Sequence, residues 1–495
     1  MVNRTPPGRP GIPPRWTSSA KSGVGTALSP TSRVWFTLSH GIVNEVYYPR
    51  IDQACIRDLG LIVTNGTDFF SEEKRDSEHK ISYLDESAPA FRLTNTCRQG
   101  RYRIHKELFT DPRHDTLVQR VEFSALRGKT SDYQLYVLLA PHLGNQGGGN
   151  TAWIDEYEGS VMLFAQRGSQ ALALASSVPW LRSSAGFVGV SDGWQDLNTH
   201  KRLTWLYSRA EDGNTALTGE IDLNDTDTFI LALGFGSTPT EAARQAHISL
   251  ASNIDEILAS YQSGWRGWQE TQHIPENPVS GVHELGRISS IVLRSHESKL
   301  FPGAIVASLS IPWGFSKGDN DLGGYHIVWP RDLVEAAGGL LAVGARQDAR
   351  RVLSYLKSTQ EQDGHWAQNM WLDGTPYWHG IQMDETAFPI MLVDLAHRHK
   401  ALKEDEIAEL WPMVRRAVSY LVCNGPVTQQ DRWEEDPGYS PFTLAVEIAA
   451  LLVAADLAET NGEPEAAAYL RYTADVWNAN IEKWTYVSET DLAQK

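Results

Sequence analysis

The stretch that decides the fold is Thr240–Trp268, TEAARQAHISLASNIDEILASYQSGWRGW. Its apolar residues Ala243, Ala246, Ile248, Leu250, Ile254, Ile257, Leu258 and Tyr261 recur at helical spacing, through to Trp265 and Trp268. Before it the signals are those of strands, and after it those of helices. Short β-prone runs are expected at Arg33–Leu38, Leu59–Thr64, Leu117–Phe123, Tyr133–Leu139, Val161–Ala165, Ala171–Ala175, Phe187–Val190, Leu203–Tyr207 and Phe229–Leu233. Asn65-Gly66 adds a hairpin signal. Many short strands with turns between them predict an antiparallel β sandwich. The glycine-rich run Gly144–Asn150 is followed by no helical pattern and reads as a flexible loop, not a phosphate cradle. Beyond Val279 the period predicts helices over Val282–His296, Asp332–Val343, Gln347–Gln360, Glu385–His399, Asp405–Cys423, Phe442–Thr460 and Glu463–Trp484, with no further strand. Alternating long and short connections suit a ring of helical hairpins whose long loops share one rim. The expected domains are a loosely packed lead-in (1–25), a β-sandwich domain (26–238), a helical linker (239–278) and a helical domain (279–495).

Composition narrows the function. The 495 residues are enough for two or three domains, and 41% hydrophobic content is ordinary for a globular protein. A net charge of −17 argues against nucleic-acid or anionic-membrane partners and is compatible with a neutral substrate such as a sugar. Seventeen Trp supply flat apolar platforms of the kind that stack on sugar rings, although most pack cores. Cys55, Cys97 and Cys423 form no disulfide framework or zinc spacing. The Pro- and Arg-rich N-terminus lacks the apolar region of a secretory signal, so a cytoplasmic location is expected.

Three loops carry candidate chemistry. The first, Gly324–Asp332, ends in Trp329-Pro330-Arg331-Asp332, where Asp332 is a plausible helix N-cap. An Arg next to an Asp can clamp vicinal hydroxyls; a local capping salt bridge is the alternative. The second runs from Gly364 to Glu385 and holds Trp366, Trp371, Tyr377 and Trp378 with Gln368 and Asn369, suited to sugar stacking and hydroxyl hydrogen bonds, or simply to a core. Its histidines lack metal-ligand spacing, and Asp319-Asn320-Asp321 is too short for a calcium loop. The third, Asp431-Arg432-Trp433-Glu434-Glu435-Asp436-Pro437-Gly438, packs four carboxylates between two helices. Glu434 sits against Trp433 and beside Glu435. An apolar neighbour and a like charge favour a protonated carboxyl, which can donate to a leaving-group oxygen. The alternative is a solvated acidic loop.

Gly324–Asp332, Gln382–Pro389 and Arg432–Glu435 resemble the motifs of prokaryotic glucoamylases and glucodextranases, glycoside hydrolase family 15. His40–Pro49 resembles the start of that family's N-terminal β domain, and Gly303–Ser310 the start of its catalytic domain. The resemblance covers nearly the whole chain. It implies an antiparallel β super-sandwich, a helical linker and an all-α (α/α)6-barrel catalytic domain. It further implies exo-hydrolysis of α-glucosidic bonds from non-reducing ends, with inversion and without metal or organic cofactor. By motif, Glu434 would be the general acid and Glu435 a hydroxyl ligand. Arg331 and Asp332 would clamp the terminal glucose, with Tyr325, Trp329 and Trp433 lining that subsite. Trp371, from the aromatic second loop and outside these motifs, is a further substrate-binding candidate. Substitution of Arg331 is expected to affect activity more than folding. Inversion also needs a second carboxylate about 6.5–9.5 Å away. The resemblance places it in a late barrel loop, so it is expected beyond Lys495, and residues 1–495 alone are expected to show little activity. An α-1,6-acting glucodextranase-like enzyme, a trehalase-like enzyme and a disaccharide phosphorylase are alternatives within the class; a non-catalytic glucan-binding protein is the alternative outside it.

Overall fold

The computed structural model describes residues 5–487 apart from 18, 225, 275–281, 310–317 and 321–323. The boundary expected at 278/279, Ser310 of the Gly303–Ser310 motif and Asp321 lie outside the described residues. The chain forms two compact units: one of Met1–Glu270, Glu284–Ser295 and Ser308–His326, the other of Thr271–His283, His296–Ala307 and Ile327–Lys495.

The first unit is built on two antiparallel sheets. One orders its strands Gly23–Thr26, Trp35–Ser39, Ile42–Tyr47, Ile56–Thr64, Gln134–Pro141, Thr215–Ile221 and Trp180–Phe187, with Phe70–Glu72 also paired to Ile56–Thr64. The other has nine strands, from Arg209–Gly213 through Asn150–Tyr157, Ser160–Arg167, Gln170–Ser176, Thr228–Gly236, Thr116–Ala125, Tyr102–Thr110 and Ala88–Cys97 to Ser77–Asp85. Residues of both, among them Phe36, Leu61, Val137, Leu108, Phe123, Leu172 and Leu233, form one buried cluster. Lys106, on the nine-stranded sheet, is fully buried against Glu73, which follows the Phe70–Glu72 strand; the two side chains pair at 2.6 Å. Burial alone pushes the Lys106 ammonium down, and the Glu73 carboxylate opposes that.

Two expected strands are absent. Phe187–Val190 turns the chain after Trp180–Phe187, and Leu203–Tyr207 is irregular. Strands the period missed, Ser77–Asp85, Ala88–Cys97 and Tyr102–Thr110, carry His79, Arg92, His105 and Lys106, whose charge or polarity masks the alternation. Asn65-Gly66 does begin a hairpin, but its side-chain oxygen accepts from the N–H groups of Thr67, Asp68 and Phe69, which makes a longer loop than a two-residue turn.

Among its described residues the lead-in is packed, not loose. The Ile12 and Asn214 N–H groups donate to Val188 and Pro10 carbonyls, and the Trp16 side chain is fully buried. The glycine-rich loop is also held. Gly147 and Gly148 N–H groups donate to the two oxygens of Asp319 at 2.9 and 2.8 Å, and Asn150 ties the loop to its own carbonyls. It grips a carboxylate of its own chain.

Thr240–Trp268 forms two helices, Pro239–Ala251 and Ile254–Gln269, divided at Asn253, whose side chain caps the second. Ala242, Ala243 and Ala246 pack on Ala171, Ala173 and Ala232 of the nine-stranded sheet; Ile257, Tyr261 and Trp265 pack on Ala88, Ala90 and Phe109.

The second unit contains three consecutive helical hairpins: Pro330–Ala342 with Arg346–Thr359, Met383–Arg398 with Glu404–Asn424, and Pro441–Thr460 with Pro464–Thr485. Their first members pack side by side. Among the described residues these do not close a ring. One short pair of strands, Asn369–Met370 with Pro376–Trp378, appears here against expectation; Asp373-Gly374 supplies its turn.

Candidate active site

The first helix of each hairpin starts at the same rim. Pro330 and Pro441 occupy first-turn positions, where a missing N–H costs nothing. Asp332, Asp384 and Glu385 stand in the first turns, where the positive end of the helix dipole favours a carboxylate. Asp332 is not the N-cap: the helix begins two residues earlier at Pro330, with Trp329 in the cap position.

Arg331 lies at the centre. Its Nη1 donates to Asp384 Oδ2 at 2.6 Å and to Gln382 Oε1 at 2.8 Å, and its Nη2 to the Arg432 carbonyl at 3.4 Å. Its backbone N–H donates to Glu385 Oε2. The guanidinium is therefore committed to the neighbouring Met383–Arg398 helix and is not engaged in a local salt bridge with Asp332. Asp384, Glu385 and Gln382 are fully buried. Burial pushes the Glu385 carboxyl well up, opposed by Arg331, and it raises Asp332 too, with Glu434 and Asp384 adding to the rise. Asp384, Glu385 and Gln382 stand in the quoted motifs, but the sequence does not mark them as the seat of Arg331. An (i, i+1) acidic pair at a helix start was the available signal.

The acidic loop is a closed turn. Thr428 and Gly438 exchange backbone hydrogen bonds at 3.1 and 3.0 Å, and Asp431 N–H donates to the Asp436 carbonyl. Inside it, Asp431 Oδ1 accepts from the N–H groups of Trp433 and Glu435 at 2.9 and 3.1 Å, and its carbonyl accepts from Glu434. That folding puts Glu434 at φ +67°, a left-handed conformation unusual for this residue type. Strain of this kind persists where the surroundings fix it, and it clusters at functional sites. Asp431 is thus a positioning residue that sequence reasoning left in the acidic run. Glu434 is half-buried, and its Oε1 accepts from the Trp329 indole N–H at 3.1 Å. Trp433 is 68% exposed, with Arg432 lying over its ring, and Glu435 is exposed.

The structure thus gathers Trp329, Arg331, Asp332 and Glu434, with Trp433 and Glu435 on the adjoining turn. Trp371 packs edge-on against Tyr377, which in turn lies against the exposed Trp378. The strand pair carrying them is tied to the clamp by reciprocal hydrogen bonds between Val328 and Met370 at 2.9 Å. Tyr325 belongs to the first unit, where it is 48% exposed.

Residues 6–270 match the family model for the N domain of glucodextranase, and residues 289–365 and 362–492 match that for glycosyl hydrolases family 15. The chain is 38% identical over 483 residues to a glucoamylase of Clostridium sp. (strain G0005), an alignment covering 98% of this chain and 67% of that protein. It is similar in structure to a bacterial glucoamylase solved in complex with acarbose (TM-score 0.92, 37% identity, 97% of this chain and 70% of that one). A family GH92 inverting mannosidase from Bacteroides thetaiotaomicron shares the fold more distantly (TM-score 0.52, 11% identity, 93% and 64%).

Proposed function

This chain belongs to glycosyl hydrolases family 15, and from that premise we propose how its rim works. The protein is a glycoside hydrolase, a glucoamylase homologue of an exo-acting glucan-hydrolysing family. In our reading Glu434 is the general acid for cleavage of an α-1,4-glucosidic bond at a non-reducing end. The observation that carries it is the Trp329 indole donating to Glu434 Oε1. In this role Oε1 keeps the indole hydrogen bond while Oε2 delivers a proton to the leaving-group oxygen. Asp332 and Arg331 stand at the same rim to hold hydroxyls of the terminal glucose, and Glu435, on the solvent side of the turn, takes a hydroxyl beyond it. Trp433 and Trp371 offer ring faces. A bound α-glucan or acarbose-like oligosaccharide is the partner this arrangement suits, and none of these roles calls on a metal or organic cofactor.

Glu434→Gln tests the assignment. The amide keeps the shape and accepts the same indole hydrogen bond, but has no proton to give. In a protein that carries the general base as well, hydrolysis of maltotriose should fall by roughly 10²–10⁴-fold while binding is retained. Turnover near that of the parent protein would remove Glu434 from the role. Maltose and isomaltose compared side by side test the linkage preference: faster cleavage of isomaltose would favour the α-1,6 reading.

A further inference from the structure

Thr443 and Glu447 lie one turn apart on the Pro441–Thr460 helix and share a face. The Thr443 hydroxyl faces Asp384 Oδ1 at 3.5 Å. Glu447, one turn deeper, is fully buried, and neither of its carboxyl oxygens has a hydrogen-bond partner. A carboxylate so placed would be an uncompensated buried charge, so the proton stays on.

The niche around it is built. Gly425 caps the Glu404–Asn424 helix at φ −81° and ψ 177°, a conformation open to any residue. Space alone requires glycine there: a Cβ would come within 2.7 Å of Glu447 Oε1, 2.8 Å of the Leu421 carbonyl oxygen and 2.9 Å of the Trp477 ring. The carbonyl end of a helix, its negative pole, thus borders the carboxyl. The Pro464–Thr485 helix contributes the uncharged Trp477 ring. Among the described residues the one charge that reaches Glu447 is Asp384, on the Met383–Arg398 helix. Burial first, and Asp384 second, raise the carboxyl to about 8.

We propose that Glu447 is a positioning residue of the sugar clamp: as a neutral acid it leaves Asp384 engaged with Arg331, and loss of its proton to solvent at alkaline pH disengages that pair. The inference rests on the reading of Arg331 as a sugar-holding residue. Ionised Glu447 sets a second negative charge beneath Asp384 with no cation of its own. Relief comes by drawing on Arg331 or by admitting water between the helices, and either moves the guanidinium.

The probe is glucose, which is not turned over, titrated into the full chain at pH 6 and pH 9 and followed by NMR. Parent protein should lose about tenfold in affinity across that range, because the carboxyl is then about nine-tenths ionised. Glu447→Gln, neutral at both pH values, should hold its affinity within about twofold. Glu447→Met, equally unable to ionise, is the second variant and should give the same flat response if the amide perturbs folding. An equal loss in the parent and in both variants overturns the inference while leaving the clamp in place. If glucose binds none of them at pH 6, the clamp reading falls and the inference falls with it.

Discussion

Arg331 shows how a side chain changes meaning once its partners are known. Read beside Asp332 alone, it is a hydroxyl clamp whose removal should affect activity more than folding. In the structure its guanidinium is the cation for Asp384, and its backbone N–H is capped by Glu385, both carboxyls fully buried. Breaking a buried pair leaves an uncompensated charge, at about 3–5 kcal/mol. Arg331→Ala should therefore lower the stability measured by urea unfolding by several kcal/mol as well as weaken sugar binding; a variant as stable as the parent would show the pair to be hydrated. Glu447 gives a second expectation. Its folded pKa, about 8, lies above the ordinary 4.5, so the folded state holds the proton more tightly. That stabilisation is fully present below pH 4.5 and is lost as pH rises through 8, at about 1.4 kcal/mol per unit. The stability difference between parent and Glu447→Gln should shrink steadily from about pH 5 to about pH 9 in thermal scans.

The loops between helices are seated on backbone. Gly303 and Gly364, at φ +90° and +107°, each press against a carbonyl of a second hairpin helix, at Arg351 and Arg416. A Cβ on Gly364 would approach the Arg416 oxygen to 2.2 Å. Gly364→Ala should cost more than about 1 kcal/mol, since neither conformation nor space allows the methyl. Unchanged thermal stability would mean that the loop re-routes. The three hairpin helices that carry the rim residues were readable from apolar period, to within two residues at their starts. The Asn369–Met370 and Pro376–Trp378 strands were not, because a pair so short carries no alternation.

For the molecule as a whole, the net charge of −17 sets no field that a neutral glucan can feel. The affinity for maltotriose should move less than about twofold between about 50 and 500 mM salt, because screening acts only on charged partners. A strong salt dependence would point to a charged ligand. Within the first unit, the buried Lys106–Glu73 pair links the two sheets in place of an apolar contact. It also explains why the Tyr102–Thr110 strand was missed: a lysine in the core reads as a surface residue until its carboxylate is seen.

The sequence by itself determined the change from strand period to helix period at Thr240, the order of the helices and the three loops that hold the candidate chemistry. All of these follow from local side-chain spacing and from turn and cap residues, which act over a few positions. It did not determine which carboxylates share a cation. Arg331 and Asp384 are 53 positions apart, and Trp329 and Glu434 are 105. Nor did it separate Asp431, which shapes the turn, from Glu434, which that turn presents. Burial and hydrogen bonding distinguish otherwise equal carboxyl groups, and both arise only when distant segments pack; that choice belonged to the tertiary structure alone.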